Sequence, residues 1–391
     1  MTVLKRYLEE TILSDAISHK KMAFLSGPRQ TGKSTMGRAL LLHESNEFTW
    51  DDEDFRKAWV RSPASSIAAR QEGPILLDEI HKDLRWKQKL KGIFDTSKGK
   101  LPIIVTGSAR LDVFRKGGDS LLGRYFPYHV HPFSIGETST PPSPDEIFSS
   151  TKPTFPLNDI LKLGTFPEPL LGGSEARARR WSRLRLERLI SEDVRDLRNV
   201  QNLQQLQILV QLLPSRVGSL LSINSLRQDL SVAHDTVSAW IDALTSLYLC
   251  FRIKPWVNKI SRAVRAEPKL YLFDLLQVPE GGARMENLVA LHLLKACDFW
   301  TDSAQGEFSL HFIRTRDAQE VDFLVSRDGK PWMLVEVKSN KESPSSALVK
   351  YASALQTELN FQLVAKSGFK KRYPDTRVTV ISVETFLAGL V

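Results

Sequence analysis

The chain has 391 residues, 25% of them charged, and its 54 Lys and Arg against 45 Asp and Glu give a formal net charge of +9. That length allows two or three domains with buried cores, and the basic balance favours anionic partners, nucleic acid first. Only two cysteines, Cys250 and Cys297, are present, which excludes a disulfide framework or a cysteine-rich zinc site and fits a reducing, cytoplasmic setting.

Residues 1–15, MTVLKRYLEETILSD, read as an amphipathic helix with acids among its apolar positions rather than as a signal peptide. No apolar run reaches membrane-spanning length, so no membrane partner is expected. Residues 22–26, MAFLS, predict a short buried strand leading directly into GPRQTGKST. Gly27, Pro28, Arg29, Gln30, Thr31, Gly32, Lys33 and Ser34 satisfy GxxxxGKS, Thr35 follows, and MGRALLLHE has helical composition. The glycines let backbone amides turn inward around phosphate oxygens, and the new helix points its positive end at them. Lys33 is placed to reach the β and γ phosphates of ATP, and the Ser34 hydroxyl to coordinate Mg2+.

GPILLDEIHK, residues 73–82, predicts a second buried strand that ends in Asp78 and Glu79. In that arrangement one carboxylate serves the magnesium and the next polarises the attacking water. LPIIVTGS, residues 101–108, is a third strand with hydroxyls at its carboxyl end. Strand ends in open α/β sheets converge on the ligand crevice, so Thr106 and Ser108 are candidates to sense the γ phosphate, with Ser108 preferred. Arg124 stands just before the next strand, in SLLGRYFPYHVHPFS. Two readings fit it: a finger reaching a neighbouring subunit's nucleotide, or a surface charge.

The runs GPRQTGKST, LLDEI, VTGSARL, SLLGRY and HPFSIGE resemble, in this order, a widespread bacterial and archaeal family of AAA-type ATPases. GTFPEPL, PKLYLFD, GARMENLVA, EVDFLV and VEVKSN extend the resemblance over nearly the whole chain. It implies an AAA+ P-loop core over residues 1–140, a helical lid or connector over 141–205, a winged helix over 206–262 and a restriction-endonuclease-like α/β domain over 263–391.

TSTPPSPDEIFSSTKPTFP, residues 138–156, marks a boundary by its Pro, Ser and Thr content. Beyond it, EARARRWSRLRLERLISEDVRDLRNV carries Arg177, Arg179, Arg180, Arg183, Arg185, Arg188, Arg195 and Arg198. Three readings fit this face: a grip on a phosphate backbone, a solvated helix with internal ion pairs, or a lid arginine for the nucleotide pocket. Residues 220–256 predict two helices joined by a short turn and followed by a β ribbon, with Leu226, Leu230, Val232, Val237, Ile241, Leu244 and Leu247 in the packed seam of a winged helix-turn-helix. His234, Asp235 and Thr236 would face a groove, but Ala233 at the cap and the acid at Asp235 argue for a structural or backbone-tracking role.

In the last third, EVDFLVS and WMLVEVKS predict a hairpin turned by SRDGKP. Asp322 and Glu336 then lie on adjacent strands, and Glu336 and Lys338 project from one face. Either Asp322, Glu336 and the Val337 carbonyl bind Mg2+, with Lys338 at the water or phosphate and Glu286 adding a ligand or base, or the charges neutralise one another without chemistry. Glu286, Asp322, Glu336 and Lys338 match the Asp…Glu-x-Lys core of the restriction-endonuclease-like fold, except that Val321 replaces the usual proline. The expected function is an ATP-hydrolysing, Mg-dependent motor on DNA, favoured over RNA, in recombination or repair. It would work as a homo-oligomer such as a hexameric ring. The alternative is a nucleotide-switched signalling or defence protein whose nuclease-like domain is a non-catalytic platform.

Overall fold

The structure, a computed structural model, describes residues 4–107, 121–138, 140–150, 152–193, 202–257, 267–315 and 319–391. Ser108, Arg195 and Arg198 lie outside the described residues, as do 258–266. The chain forms two compact units, Met1–Pro132 with Thr138–Thr140, and Phe133–Glu137 with Pro141–Val391.

The first unit is built on a five-stranded parallel sheet. Its strands are β1 (Met22–Ser26), β2 (Glu47–Thr49), β3 (Ile75–Asp78), β4 (Ile103–Thr106) and β5 (Tyr125–His129), in the order β2-β3-β4-β1-β5. Every residue of β1, β3 and β4 is buried, which is why MAFLS, ILLD and IIVT are continuous apolar runs rather than alternating ones. Pro127 is tolerated because β5 is an edge strand. Trp59, Ile67, Trp86 and Leu90 pack with Ile75, Leu77, Ile103 and Val105 into one core. The helix Glu53–Arg61 starts where the Asp52 carboxylate accepts from the Asp54 and Phe55 amides. The connection from β4 crosses β1 to reach β5, so the crevice at the strand carboxyl ends opens beside the loop that follows β1.

The second unit carries an eight-stranded mixed sheet. Its strands are β6 (Cys250–Pro255), β7 (Lys269–Leu272), β8 (Phe308–Arg314), β9 (Glu320–Arg327), β10 (Lys330–Val337), β11 (Leu359–Val364), β12 (Lys370–Tyr373) and β13 (Val378–Ser382), ordered β12-β13-β11-β10-β9-β8-β6-β7. β9 and β10 form the hairpin read from the sequence, and Asp328 (φ 51°) and Gly329 (φ 73°) are its two loop residues. Positive φ at both positions is what a type I′ turn requires, and Asp-Gly supplies it. Val321, Leu324, Leu334, Leu348, Val364 and Val380 fill one face of the sheet. The helices Ile223–Leu230 and His234–Ser246 meet at a turn where Ser231 takes φ 54°, and β6 follows, pairing antiparallel with β7 and parallel with β8. A 21-residue helix, Gly282–Asp302, brings Glu286 to the sheet.

Candidate functional site

The phosphate loop bends sharply at two glycines. Gly27 takes φ +144°, and a Cβ there would lie 2.3 Å from the Val130 carbonyl oxygen; Gly32 takes φ +89° at the start of the helix Lys33–Ala39. Neither conformation suits a residue with a side chain. The Lys33 ammonium is buried and donates to the carbonyls of Gly27 at 3.0 Å and Pro28 at 2.6 Å. The Thr31 hydroxyl donates to Pro28 O at 2.9 Å. Arg6, which carried no motif signal, braces the loop from behind: its guanidinium donates to Thr31 O at 2.7 Å and His131 O at 2.8 Å.

Ser34 and Asp78 come together as their types demand: the Ser34 hydroxyl donates to Asp78 Oδ1 at 3.0 Å. Thr106 pairs with Asp78 in the β3–β4 register and donates its hydroxyl to the same oxygen. Of the two hydroxyls offered as γ-phosphate sensors, Thr106 therefore serves Asp78 directly. Glu79 sits at φ 55°, an uncommon conformation for a non-glycine residue. Its carboxylate lies 3.7 Å from both His81 Nε2 and the Lys82 ammonium. Hard oxygen donors at Ser34 and Asp78 fit a magnesium ion.

Arg124 is at the other end of the sheet. Its carbonyl accepts from the Met22 amide at the start of β1, whereas the phosphate loop follows the end of that strand. Four strand residues separate them by roughly 13 Å, so Arg124 cannot serve its own chain's loop. Its guanidinium forms a two-pronged pair with Asp95, at 2.7 and 3.2 Å.

In the second unit Glu286, Asp322, Glu336 and Lys338 are gathered, but with partners the sequence did not announce. The Asp322 carboxylate accepts from the Val337 amide at 2.8 Å. The buried Glu336 accepts from Lys338 at 3.0 Å and from the Ser345 hydroxyl. Lys269, with a side chain only 2% exposed, lies 3.3 Å from Glu286, contacts Glu320, and stands 3.9 Å from Asp322. The Tyr271 hydroxyl donates to Glu286 at 2.8 Å. Burial first, and the Glu286 charge second, push the Asp322 carboxyl up to about 7. Burial works against the Lys269 ammonium, yet Glu286, Asp322 and Glu320 outweigh it and hold that group above its ordinary value.

These donors do not fit a divalent ion. Among the described residues no group of three or more His, Cys, Asp or Glu side chains is gathered to hold a metal, and an ammonium already sits among three of the carboxylates. The signal for Lys269 lay in PKLYLFD: a lysine opening an apolar strand needs a buried anion. Lys338, 42% exposed, borders a cavity of about 500 Å3 together with Lys162, Arg284, Glu175 and Glu280, and each of its cations has a carboxylate partner: Lys162 with Glu175 at 3.2 Å, Arg284 with Glu280 at 3.4 Å and Lys338 with Glu336 at 3.0 Å.

The helix Glu175–Arg188 sorts its arginines. Arg185 is buried on the Phe166 ring at 4.2 Å. Arg179 pairs with Glu175 at 3.5 Å and Arg183 with Glu187 at 3.8 Å. Arg177, Arg180 and Arg188 are exposed and form no ion pair among the described residues. At the start of helix His234–Ser246, Ala233 provides no side-chain cap and Asp235 is fully exposed.

Three domain families match successive parts of the chain: an AAA domain over residues 19–139, a domain of unknown function (DUF8612) over 155–275, and a second domain of unknown function (DUF4143) over 281–386. With the parallel sheet and phosphate loop, the first match supports an AAA-type ATPase core. Two relatives, uncharacterized protein Mb2031c of Mycobacterium bovis and uncharacterized protein Rv2008c of Mycobacterium tuberculosis, are each 22% identical over 397 residues, covering 97% of this chain and 84% of theirs. Solved structures with loose overlap include replication initiator DnaA bound to AMPPCP and single-stranded DNA (16% identity, TM-score 0.30, 61% of this chain and 86% of that one). The Thermotoga maritima RuvB Holliday junction branch migration motor has 15% identity and TM-score 0.30 over 64% and 90%. The Aeropyrum pernix ORC1 protein in complex with DNA has 15% and 0.32 over 74% and 94%. No described helix is long and apolar enough to cross a membrane.

Proposed function

We propose that this protein binds and hydrolyses ATP and couples that cycle to DNA, with a C-terminal unit of nuclease-like fold that binds nucleic acid. The observation that carries the ATPase reading is the Ser34–Asp78–Thr106 set behind the Gly27–Lys33 loop. Lys33 exchanges the Gly27 and Pro28 carbonyls for the β and γ phosphates. Ser34, with Asp78 behind it, would hold a magnesium ion, which would supply positive charge there. Glu79 orients water toward the γ phosphorus and takes its proton as the bond to the β-phosphate oxygen breaks. Arg124, remote from its own loop, acts on a neighbouring copy, which makes the working form a homo-oligomer.

DNA is the partner favoured by the +9 charge and by the exposed Arg177, Arg180 and Arg188, which form no ion pair among the described residues. In this reading residues 141–205 are the lid, 206–262 a winged helix that does not read bases through Asp235, and 263–391 the nuclease-like domain. ATP turnover and DNA binding on linear, branched and single-stranded substrates at low salt test it. Turnover lost in Lys33→Ala and raised by DNA in the wild type is the expected result. Absence of DNA binding at low salt, together with a DNA-independent ATPase rate, would overturn the DNA assignment.

The lysine-filled carboxylate cluster favours a second reading, a nucleotide-switched interaction protein with an idle platform. A magnesium-dependent cleavage activity that disappears in Lys338→Ala while ATP turnover persists would sink that alternative.

A further inference from the structure

Lys269 enters the carboxylate cluster from β7, on a different element from each acid it meets. Glu286 lies on the helix Gly282–Asp302, and Glu320 and Asp322 lie on β9. Its ammonium touches Glu286 and Glu320 and is 3.9 Å from Asp322, while the Phe312 ring, 5.6 Å away, covers it. An ammonium on a buried stem has three donors and a full positive charge, and here three carboxylates share it. Four acids, Glu286, Glu320, Asp322 and Glu336, face three cations, Lys269, Arg314 and Lys338. A divalent ion would therefore add two charges to a cluster already short of neutrality by one.

We propose that Lys269 is the resident cation of this cluster and takes the electrostatic place of a divalent metal, so that the C-terminal unit holds its Glu286–Glu320–Asp322 geometry and engages its partner without metal. The ammonium and a metal ion compete for the same carboxylate oxygens, and the ammonium is covalently tethered. The inference deepens the nucleic-acid-binding reading of the C-terminal unit and rests on it for the nature of the partner; the metal statement can be tested without that partner.

Titration of Mn2+ into the nucleotide-free full chain, compared with Asp322→Asn, is the direct test. The wild type is expected to show no saturable uptake that depends on Asp322. Lys269→Ala is expected to gain such a site, and the double variant Lys269→Ala/Asp322→Asn to lose it again. Wild-type uptake abolished by Asp322→Asn would overturn the proposal, as would a folded Lys269→Ala that takes up no Mn2+. If Lys269→Ala does not fold by circular dichroism, the comparison of wild type with Asp322→Asn decides alone. DNA binding in the presence of EDTA separates the two claims. A chain that takes up no Mn2+ and binds no DNA loses the nucleic-acid reading only, whereas one that binds DNA and takes up Mn2+ through Asp322 loses this inference only.

Discussion

Asp78 shows how much a single side chain depends on its neighbours. Its Oδ1 accepts both the Ser34 and Thr106 hydroxyls, so the carboxylate is aimed by one residue of the loop and one of the adjacent strand. Thr106→Val keeps the shape and removes one charge-assisted hydrogen bond, an interaction of about 1.5–3 kcal/mol. ATP turnover is expected to fall roughly 10- to 100-fold in that variant, with nucleotide affinity changed less; steady-state kinetics check it.

His292 makes a comparable case in the second unit. It is fully buried, its Nδ1–H donates to Leu288 O at 2.9 Å, and its Nε2 accepts from the Ile135 amide at 2.9 Å. Burial pushes it down to about 4. The unfolded chain takes up the proton near pH 6.5 while the folded one refuses it until about 4, so stability is fully present above pH 6.5 and is lost as pH falls toward 4. The linkage amounts to about 3 kcal/mol. Urea unfolding across that window should be steeper in pH for the wild type than for His292→Gln.

Motif residues such as Lys33, Ser34 and Asp78 were legible because their chemistry is local to a loop or a strand end. Lys269 and Arg6 were not, because each owes its role to elements distant in sequence. Lys269 meets acids at 286, 320 and 322, and Arg6 meets carbonyls at 31 and 131. Pairing choices of that kind leave no spacing to read.

At the scale of elements, the helix Glu175–Arg188 places its arginines in three environments. Arg185 turns inward onto Phe166, the stripe of Glu175, Arg179, Arg183 and Glu187 satisfies itself at i,i+4 spacing, and Arg177, Arg180 and Arg188 remain exposed without ion pairs among the described residues. Among the described arginines of this stretch, those three have no carboxylate to give up before meeting a phosphate. Replacing them together with alanine should leave the helix intact, since alanine is a better helix former and no packing is lost. DNA affinity should fall across all sequences alike, and the slope of log affinity against log salt should drop by up to about 3 × 0.9. Arg179→Ala with Arg183→Ala should change that slope much less. Fluorescence anisotropy over a salt series distinguishes the pairs from the free arginines. The hairpin of β9 and β10 was legible for a different reason: Asp328-Gly329 fixes the turn, and the apolar runs FLV and WMLV on either side of it mark two buried strands. The pairing of β6 with both β7 and β8 was not, since each ladder joins segments separated by an intervening loop or helix.

At the scale of the whole molecule, the position of Arg124 bears on whether the protein works as single chains or as an assembly. It immediately precedes β5 at the amino end of the sheet, while the phosphate loop follows the carboxyl end of β1. An arginine so placed contributes to hydrolysis only if another copy presents its nucleotide to that end. Its pair with Asp95 is exposed and two-pronged, and the hydrogen bond to Asp95 holds its guanidinium above the ordinary value. Exposed pairs of this sort contribute little stability, so exchanging Asp95 for a phosphate on a neighbour costs little. Mixing two dead variants tests the assembly directly. Lys33→Ala lacks a working loop but retains Arg124, whereas Arg124→Ala retains the loop but lacks the finger. In a mixed oligomer some interfaces pair an intact loop from one variant with an intact arginine from the other, so ATP turnover should reappear on mixing and pass through a maximum near equal proportions. If Arg124 is only a partner for Asp95, Arg124→Ala alone will keep nearly full activity, and adding Lys33→Ala will merely dilute it. The two outcomes differ in the sign of the mixing curve, which separates an interface residue from a surface ion pair without any structure of the assembly.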